Sequence, residues 1–226
     1  MEYVLGIDVG GTTIKLGLFS TEGELLSEQK VKTPALDNEY GYQTVTDAIR
    51  LIVHGQKASR NDVIACGLDI PGPVADDGTV GFLANVDIDP EGLVQAINMC
   101  LLNATIAFVN DANAAALGEA WVGVAVGVPS FVLIALGTGV GAGVVVDGKL
   151  AAGAFGAGGE IGHIIVEPEE TLTCGCGRHG CLEQYASAKG LVWLYRQECR
   201  RQGVEGVKVE HDTDTLSVFA ALKAGD

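Results

Sequence analysis

Apolar residues recur at alternate positions from Tyr3 to Val9 and again from Thr13 to Phe19, and Gly10-Gly11-Thr12 separates the two runs. Period-two spacing bounded by glycine predicts two strands joined by a tight turn. From Asn38 to Gln56 the apolar residues return at near-helical spacing, which predicts a helix. Asn61 to Asp69 reads as a strand running into Pro-Gly-Pro-Val, Glu91 to Leu102 as a helix, and Thr105 to Asn110 as a buried strand. Asn113 to Trp121 (NAAALGEAW) has strong helix propensity, with Asp111 near its N-terminus. An acid at a strand-to-helix junction serves locally as an N-cap. The same junction is where open α/β sheets keep catalytic groups.

The opening scheme is repeated. Phe131 to Val146 reads FVLIAL, then GTG, then VGAGVVV: strand, glycine turn, strand. Both turns place Thr beside Gly, and such turns aim backbone N–H groups at a phosphate while glycine keeps side chains out of the way. Two such cradles, Gly10-Gly11-Thr12 and Gly137-Thr138-Gly139, predict a duplicated fold with a cleft between lobes. GTGVGA formally fits the dinucleotide fingerprint, but that motif requires a helix after the turn and VVVDG predicts a strand. No G-K-[ST] occurs, so the P-loop pattern fails. Val122 to Val146 is uncharged over 25 residues, yet its six glycines and two β-branched runs predict buried strands rather than a membrane helix.

The 226 residues are long enough to bury a sizeable core, and 48% hydrophobic against 19% charged residues predicts a globular protein. The net charge of −15 argues against a nucleic-acid partner. With only 14 Lys plus Arg, an anionic substrate must be held mainly by backbone amides and metal. The start, MEYVLGIDVG, lacks a basic flank before its apolar residues, so no secretory signal is read and the cytoplasm is the expected compartment, with no membrane partner.

Three of the six cysteines fall in CGCGRHGCLE, Cys174 to Glu183, among three glycines that let the backbone fold back tightly. A disulfide would pair two thiols and strand the third, and Cys174 and Cys176 are C-x-C rather than the C-x-x-C of a redox pair. Three converging thiolates suit zinc, which needs a fourth ligand to close its tetrahedron. His179, His163 and Glu183 are the candidates by sequence.

LGIDVGGTTIKLG resembles the first phosphate motif of the actin-like sugar kinases, and IPGPV, VNDANAAALGE, IALGTGVGAGVV, GGEIGHI and CGCGRHGCLE together resemble the ROK family. The likeness runs from about Val4 to Glu183. It implies an α/β, actin-like (ribonuclease H-like) duplicated two-lobe fold. The lobes are expected at residues 1–118 and 119–226, the second incomplete, because family members continue past Ala224-Gly225-Asp226 into elements that hold adenosine.

The resemblance further implies that His163 joins Cys174, Cys176 and Cys181 on a structural zinc. It places sugar contacts at Gly72, Asn85, Asn110, Asp111, Glu160, His163 and Glu183, and makes Asp111 the base for the attacking hydroxyl. Asp8, with Gly10, Gly11, Thr12, Gly137, Thr138 and Gly139, is assigned to ATP and its Mg²⁺. The implied activity is ATP-dependent phosphorylation of a hexose, glucose first among them, by a protein that is a dimer or tetramer at full length. Kinases for N-acetylmannosamine or fructose, a sugar-responsive regulator and a noncatalytic sugar-binding remnant are the rival readings. Ala142 in the second turn, Ala84 before Asn85 and Phe155 in the GGEIGH approach depart from the family pattern.

Overall fold

The structure, a computed structural model, describes residues 1–203 and 214–223 apart from 76, 82, 84 and 85. Asn85 therefore lies outside the described residues. The chain divides into two compact units, Met1–Phe131 with Gly143–Gly158 and Val132–Ala142 with Gly159–Asp226.

In the first unit, β1 (Tyr3–Val9), β2 (Thr13–Ser20), β3 (Leu25–Lys32), β4 (Val63–Ile70) and β5 (Thr105–Asn110) form one sheet in the order β3-β2-β1-β4-β5. β2 lies antiparallel to β1 and β3, whereas β4 is parallel to β1 and β5 to β4. The parallel pairs need crossovers, and these are α1 (Glu39–Gly55) and α2 (Pro90–Cys100). The period-two pattern puts Leu5, Ile7 and Val9 of β1, Ile14, Leu16 and Leu18 of β2, and Leu68 and Ile70 of β4 into one core. Val45, Ile49 and Ile52 of α1 and Leu93 and Ile97 of α2 complete that core. Asn38 caps α1, its side chain accepting the Gly41 N–H. Gly41 itself lies against the Ala35 carbonyl, where no side chain would fit. α3 (Asp111–Val122) follows β5 directly and starts two residues before the NAAALGEAW run.

β6 (Phe131–Leu136), β7 (Val140–Val146) and β8 (Lys149–Leu150) make a second sheet in the order β6-β7-β8. From Phe131 on the uncharged segment is resolved into strands; β7 is mostly buried, but β6 leaves Val132, Ile134 and Leu136 exposed, which corrects the expectation of two buried strands. Among the described residues no helix is long and apolar enough to cross a membrane. Asp147 and Gly148 turn β7 into β8 at φ of 50° and 73°, the paired left-handed geometry that matches the twist of a two-residue hairpin.

The second unit carries α4 (Glu183–Ala186), α5 (Ala188–Gln202) and α6 (Thr215–Lys223). α5 lies beyond the reach of the motif reading, although its stops are visible locally. Ser187 accepts the Gly190 N–H at its start, and Gly203 takes the left-handed conformation at its end, with φ of 67°.

Candidate functional site

In the first unit the C-terminal ends of the parallel strands β1, β4 and β5 carry Asp8, Asp69 and Asn110, the last followed directly by Asp111. Asp8 and Asp69 are register partners on β1 and β4, and Asp8 is paired with Lys15 on β2. The Lys15 ammonium lies 2.7 Å from Asp8 Oδ2, and this bond holds Lys15 above its ordinary pKa. The turn that follows β1 is closed by Gly10 N–H donating to Thr13 O at 3.1 Å. Thr33 Oγ1 donates to Gly10 O at 2.6 Å and braces the same turn.

Asn110 and Asp111 divide the work at the start of α3. The cap is Asn110, whose Oδ1 accepts the N–H groups of Ala112 and Asn113 at 3.1 and 3.2 Å. Asp111 is the first helical residue, which corrects the local reading of Asp111 as the cap: the chain leaves its extended geometry one residue earlier. Asp111 Oδ1 accepts from Ala112 N–H at 2.8 Å and from Asn110 Nδ2 at 3.0 Å, so the carboxylate is oriented by two donors. Asn110 Nδ2 also donates to Gly72 O at 3.2 Å, and this brings the expected sugar contacts Gly72, Asn110 and Asp111 together.

Asp69 escaped the motif reading. It sits in a strand whose neighbours are apolar, VIACGLDI, and an acid inside such a run is the one local signal that could have exposed it. Among the described residues its Oδ1 is buried without a hydrogen-bond partner. Burial first, then the Asp8 and Asp111 carboxylates, push its pKa up to about 7, against a smaller opposing pull from Lys15. A folded-state pKa above the unfolded value means that Asp69 binds its proton more tightly when folded, so stability falls as pH rises from about 4 to about 7. A shift of that size corresponds to an upper bound of about 4 kcal/mol, and partial solvent access reduces it to about 2 kcal/mol. We therefore expect Asp69→Asn to raise the denaturation midpoint at pH 8 and to leave it nearly unchanged at pH 4. Equal midpoint shifts at the two pH values would show that charge at Asp69 is not the cause.

The second unit gathers the cysteine cluster. The ligand atoms of His163, Cys174, Cys176 and Cys181 all lie within 4.8 Å of one another. Cys176 and Cys181 sulfurs are 3.6 Å apart, and Cys174 Sγ is 3.7 Å from His163 Nδ1. A tetrahedral ion with Zn–S near 2.3 Å and Zn–N near 2.05 Å requires edges of about 3.5–3.8 Å, which these two pairs match, while the remaining edges lie within 4.8 Å. His163 arrives on a 3₁₀ turn, Ile161–His163, and its Nε2 faces Glu160 Oε2 at 3.9 Å. At 3.9 Å this is proximity rather than a hydrogen bond. The backbone N–H of Arg178 leads the interactions that lower the Cys176 thiol to about 6, which favours the thiolate a metal requires. Burial leads those that raise Cys181 to about 11.

His179 is absent from the cluster; its Nδ1 meets Leu172 O at 3.1 Å, leaving it as a loop residue. Short bridges, Ile165 with Cys181 and Thr173 with His179, pin the cysteine loop. Glu183 follows the last cysteine by two residues, and its Oε2 accepts the Val140 N–H at 3.0 Å, directly after the Gly137-Thr138-Gly139 turn. Ala188 N–H donates to Gly137 O at 2.8 Å and holds the other side of that turn.

A glucokinase of Halalkalibacterium halodurans is 35% identical over 231 residues, covering 100% of this chain and 70% of that protein. An N-acetyl-D-glucosamine kinase of Yersinia enterocolitica is 36% identical over 203 residues, covering 84% of this chain and 65% of that protein. The chain therefore spans about two thirds of the length of these curated relatives. Among solved structures, a ROK family glucokinase from Streptomyces griseus in complex with glucose and AMPPNP superposes with a TM-score of 0.72 at 35% identity. It covers 99% of this chain and 72% of that one. A ROK family transcriptional regulator, homolog of the E. coli MLC protein, superposes with a TM-score of 0.82 at 26% identity, over 99% of this chain and 56% of that one. The fold is accordingly the actin-like α/β fold of these proteins. A sequence model of the ROK family matches residues 4–226, and the chain belongs to that family.

Proposed function

We infer that this protein is an ATP-dependent hexose kinase with glucose as its first-choice substrate and Asp111 as its general base. The observation that carries the reading is the division of labour at α3. Asn110 satisfies the helix N-terminus, so the Asp111 carboxylate is oriented by two donors yet not needed as the cap. Phosphoryl transfer asks little covalent work of a protein and much positioning, together with a group that takes the proton of the attacking hydroxyl. In this reading Asp111 takes that proton. Gly72, Asn85, Asn110, Glu160, His163 and Glu183 are the residues assigned to sugar recognition. Carboxylates and amides suit neutral hydroxyls, which they read by hydrogen bonds rather than by charge.

Bound ATP supplies the γ-phosphoryl group, and Mg²⁺ neutralises charge on its phosphates. Gly10, Gly11 and Thr12, with Gly137, Thr138 and Gly139, would hold the phosphates, and Asp8 would orient the cation or its waters. His163, Cys174, Cys176 and Cys181 would hold a structural zinc that fixes the loop presenting Glu160 and Glu183. With Nδ1 turned to the sulfurs, His163 keeps Nε2 for a sugar hydroxyl.

The glucokinase names of relatives at 35–38% identity support glucose, and the N-acetyl-D-glucosamine kinases support an N-acetylated hexose as the second reading. The likeness to a transcriptional regulator makes a sugar-responsive binding role the rival outside enzymes. A screen of ATP consumption over glucose, N-acetylglucosamine, N-acetylmannosamine, mannose and fructose tests these together. Turnover is expected to be highest with glucose. Preference for an N-acetylated sugar would replace the substrate, and sugar binding without turnover would favour the regulator.

A further inference from the structure

At the exit of the turn Gly137-Thr138-Gly139 lies a carboxylate of the chain itself, while the Gly137 N–H closes the turn on Gly139 O at 2.9 Å. Glu183 Oε2 accepts the Val140 N–H at 3.0 Å, and the carboxylate packs directly on Gly139, in the space that any side chain there would fill. Its other oxygen, Oε1, lies 4.0 Å from Cys174 Sγ. Beside the turn opens a cavity of about 440 Å³ whose wall includes Thr138, Glu183, Tyr185, Lys189 and Trp193. Lys189 is the only cationic side chain in that wall among the described residues.

Turns of this kind attract anions through oriented N–H groups. A carboxylate and a phosphate cannot share one such edge, because both are negative and both need the same donors. The geometry points to Glu183 as a built-in competitor for the second phosphate turn. In the sugar-free protein its carboxylate occupies the turn. A sugar hydroxyl that donates to Glu183 withdraws it into the adjoining cavity and frees the Val140 N–H and the face of Gly139. Sugar binding then precedes and strengthens nucleotide binding. The inference rests on the kinase reading above for the two ligands, and on the Glu183 contacts for the coupling between them.

Gly139 fits this role because its missing side chain is what lets either anion approach. The zinc loop fits it as well, since Glu183 begins two residues beyond Cys181 and its reach is set by where the cysteines anchor the backbone.

Calorimetry with Mg-AMPPNP, with and without saturating glucose, tests the proposal on the 226-residue chain. In the wild type, glucose should tighten AMPPNP binding at least about fivefold, the lower end of ordinary coupling between sites. In sugar-free Glu183→Ala, AMPPNP should bind at least about fivefold more tightly than to the sugar-free wild type, and glucose should add nothing further. AMPPNP binding to that variant as weakly as to the wild type, or more weakly, overturns the proposal, and so does the absence of AMPPNP binding to any variant at millimolar concentration. Glu183→Ser, too short to reach the Val140 N–H and uncharged, decides by the same comparison if the Ala variant loses its zinc. Glucose titrated into the wild type alone separates the two ideas: if glucose binds while the AMPPNP comparison fails, the competitor role falls and the sugar reading stands.

Discussion

Asp111→Asn is expected to fold, bind glucose, and phosphorylate it at least about a hundredfold more slowly than the wild type, because an amide cannot accept the hydroxyl proton. The structure sharpens what this variant can show. Asn110 caps α3, so the substitution leaves both capping bonds in place. What remains structurally is an acid in the first helical turn, where it favours the helix dipole by about 0.3–1 kcal/mol. Against that loss stands a gain, since the Asp111 carboxylate is one of the charges that raise the Asp69 pKa. Removing it relieves a like-charge contact. Near neutral pH the variant should therefore match the wild type in stability while losing its rate, measured with saturating glucose and Mg-ATP. Asn110→Ala provides the contrast: it removes two cap bonds and should cost about 1 kcal/mol of stability. Turnover of Asp111→Asn within threefold of wild type would return Asp111 to a structural role.

Loss of the metal should have the largest effect on stability. Structural zinc at peptide sites of this type contributes on the order of 10 kcal/mol of apparent binding free energy, comparable with the whole stability of a typical domain. Cys176 is the most informative position, because it is the exposed member of the four. Cys176→Ser opens no cavity in a packed core, so its destabilisation reports the lost ligand. We expect the purified wild type to carry about one equivalent of zinc. The variant should carry much less and melt at least about 10 °C lower, at roughly 2–4 °C per kcal/mol for a chain of this size. Glucose affinity should weaken alongside, since the cysteine loop carries Glu183. Metal analysis finding less than half an equivalent in wild-type protein would count against zinc. An unchanged glucose affinity in Cys176→Ser would sever the metal from the sugar contacts.

Sequence alone determined the elements whose signals are local. The period-two runs and the glycines between them placed β1, β2, β6 and β7, because side chains alternate across a strand and a turn needs glycine at fixed points. The spacing Cys174, Cys176, Cys181 exposed a candidate metal-binding loop for the same reason: all three sulfurs lie within eight residues. The fourth donor is different. His163 is eleven residues upstream of Cys174, and spacing left it level with His179 and Glu183 until the resemblance chose it; the fold then put its Nδ1 beside the sulfurs and His179 against a carbonyl.

Asp69 and the Glu183 contact were decided by tertiary structure alone. Asp69 matters because β4 lies parallel to β1 in a register that sets it beside Asp8, a pairing across 61 residues that no local pattern encodes. Glu183 meets Val140 across 43 residues, where the returning cysteine loop lies against the turn. Periodicity and turn chemistry act within a few residues, so they fix which elements form. Which carboxylates share a site, and with what burial and charge, depends on strand order and loop return, and those are set only when the chain packs.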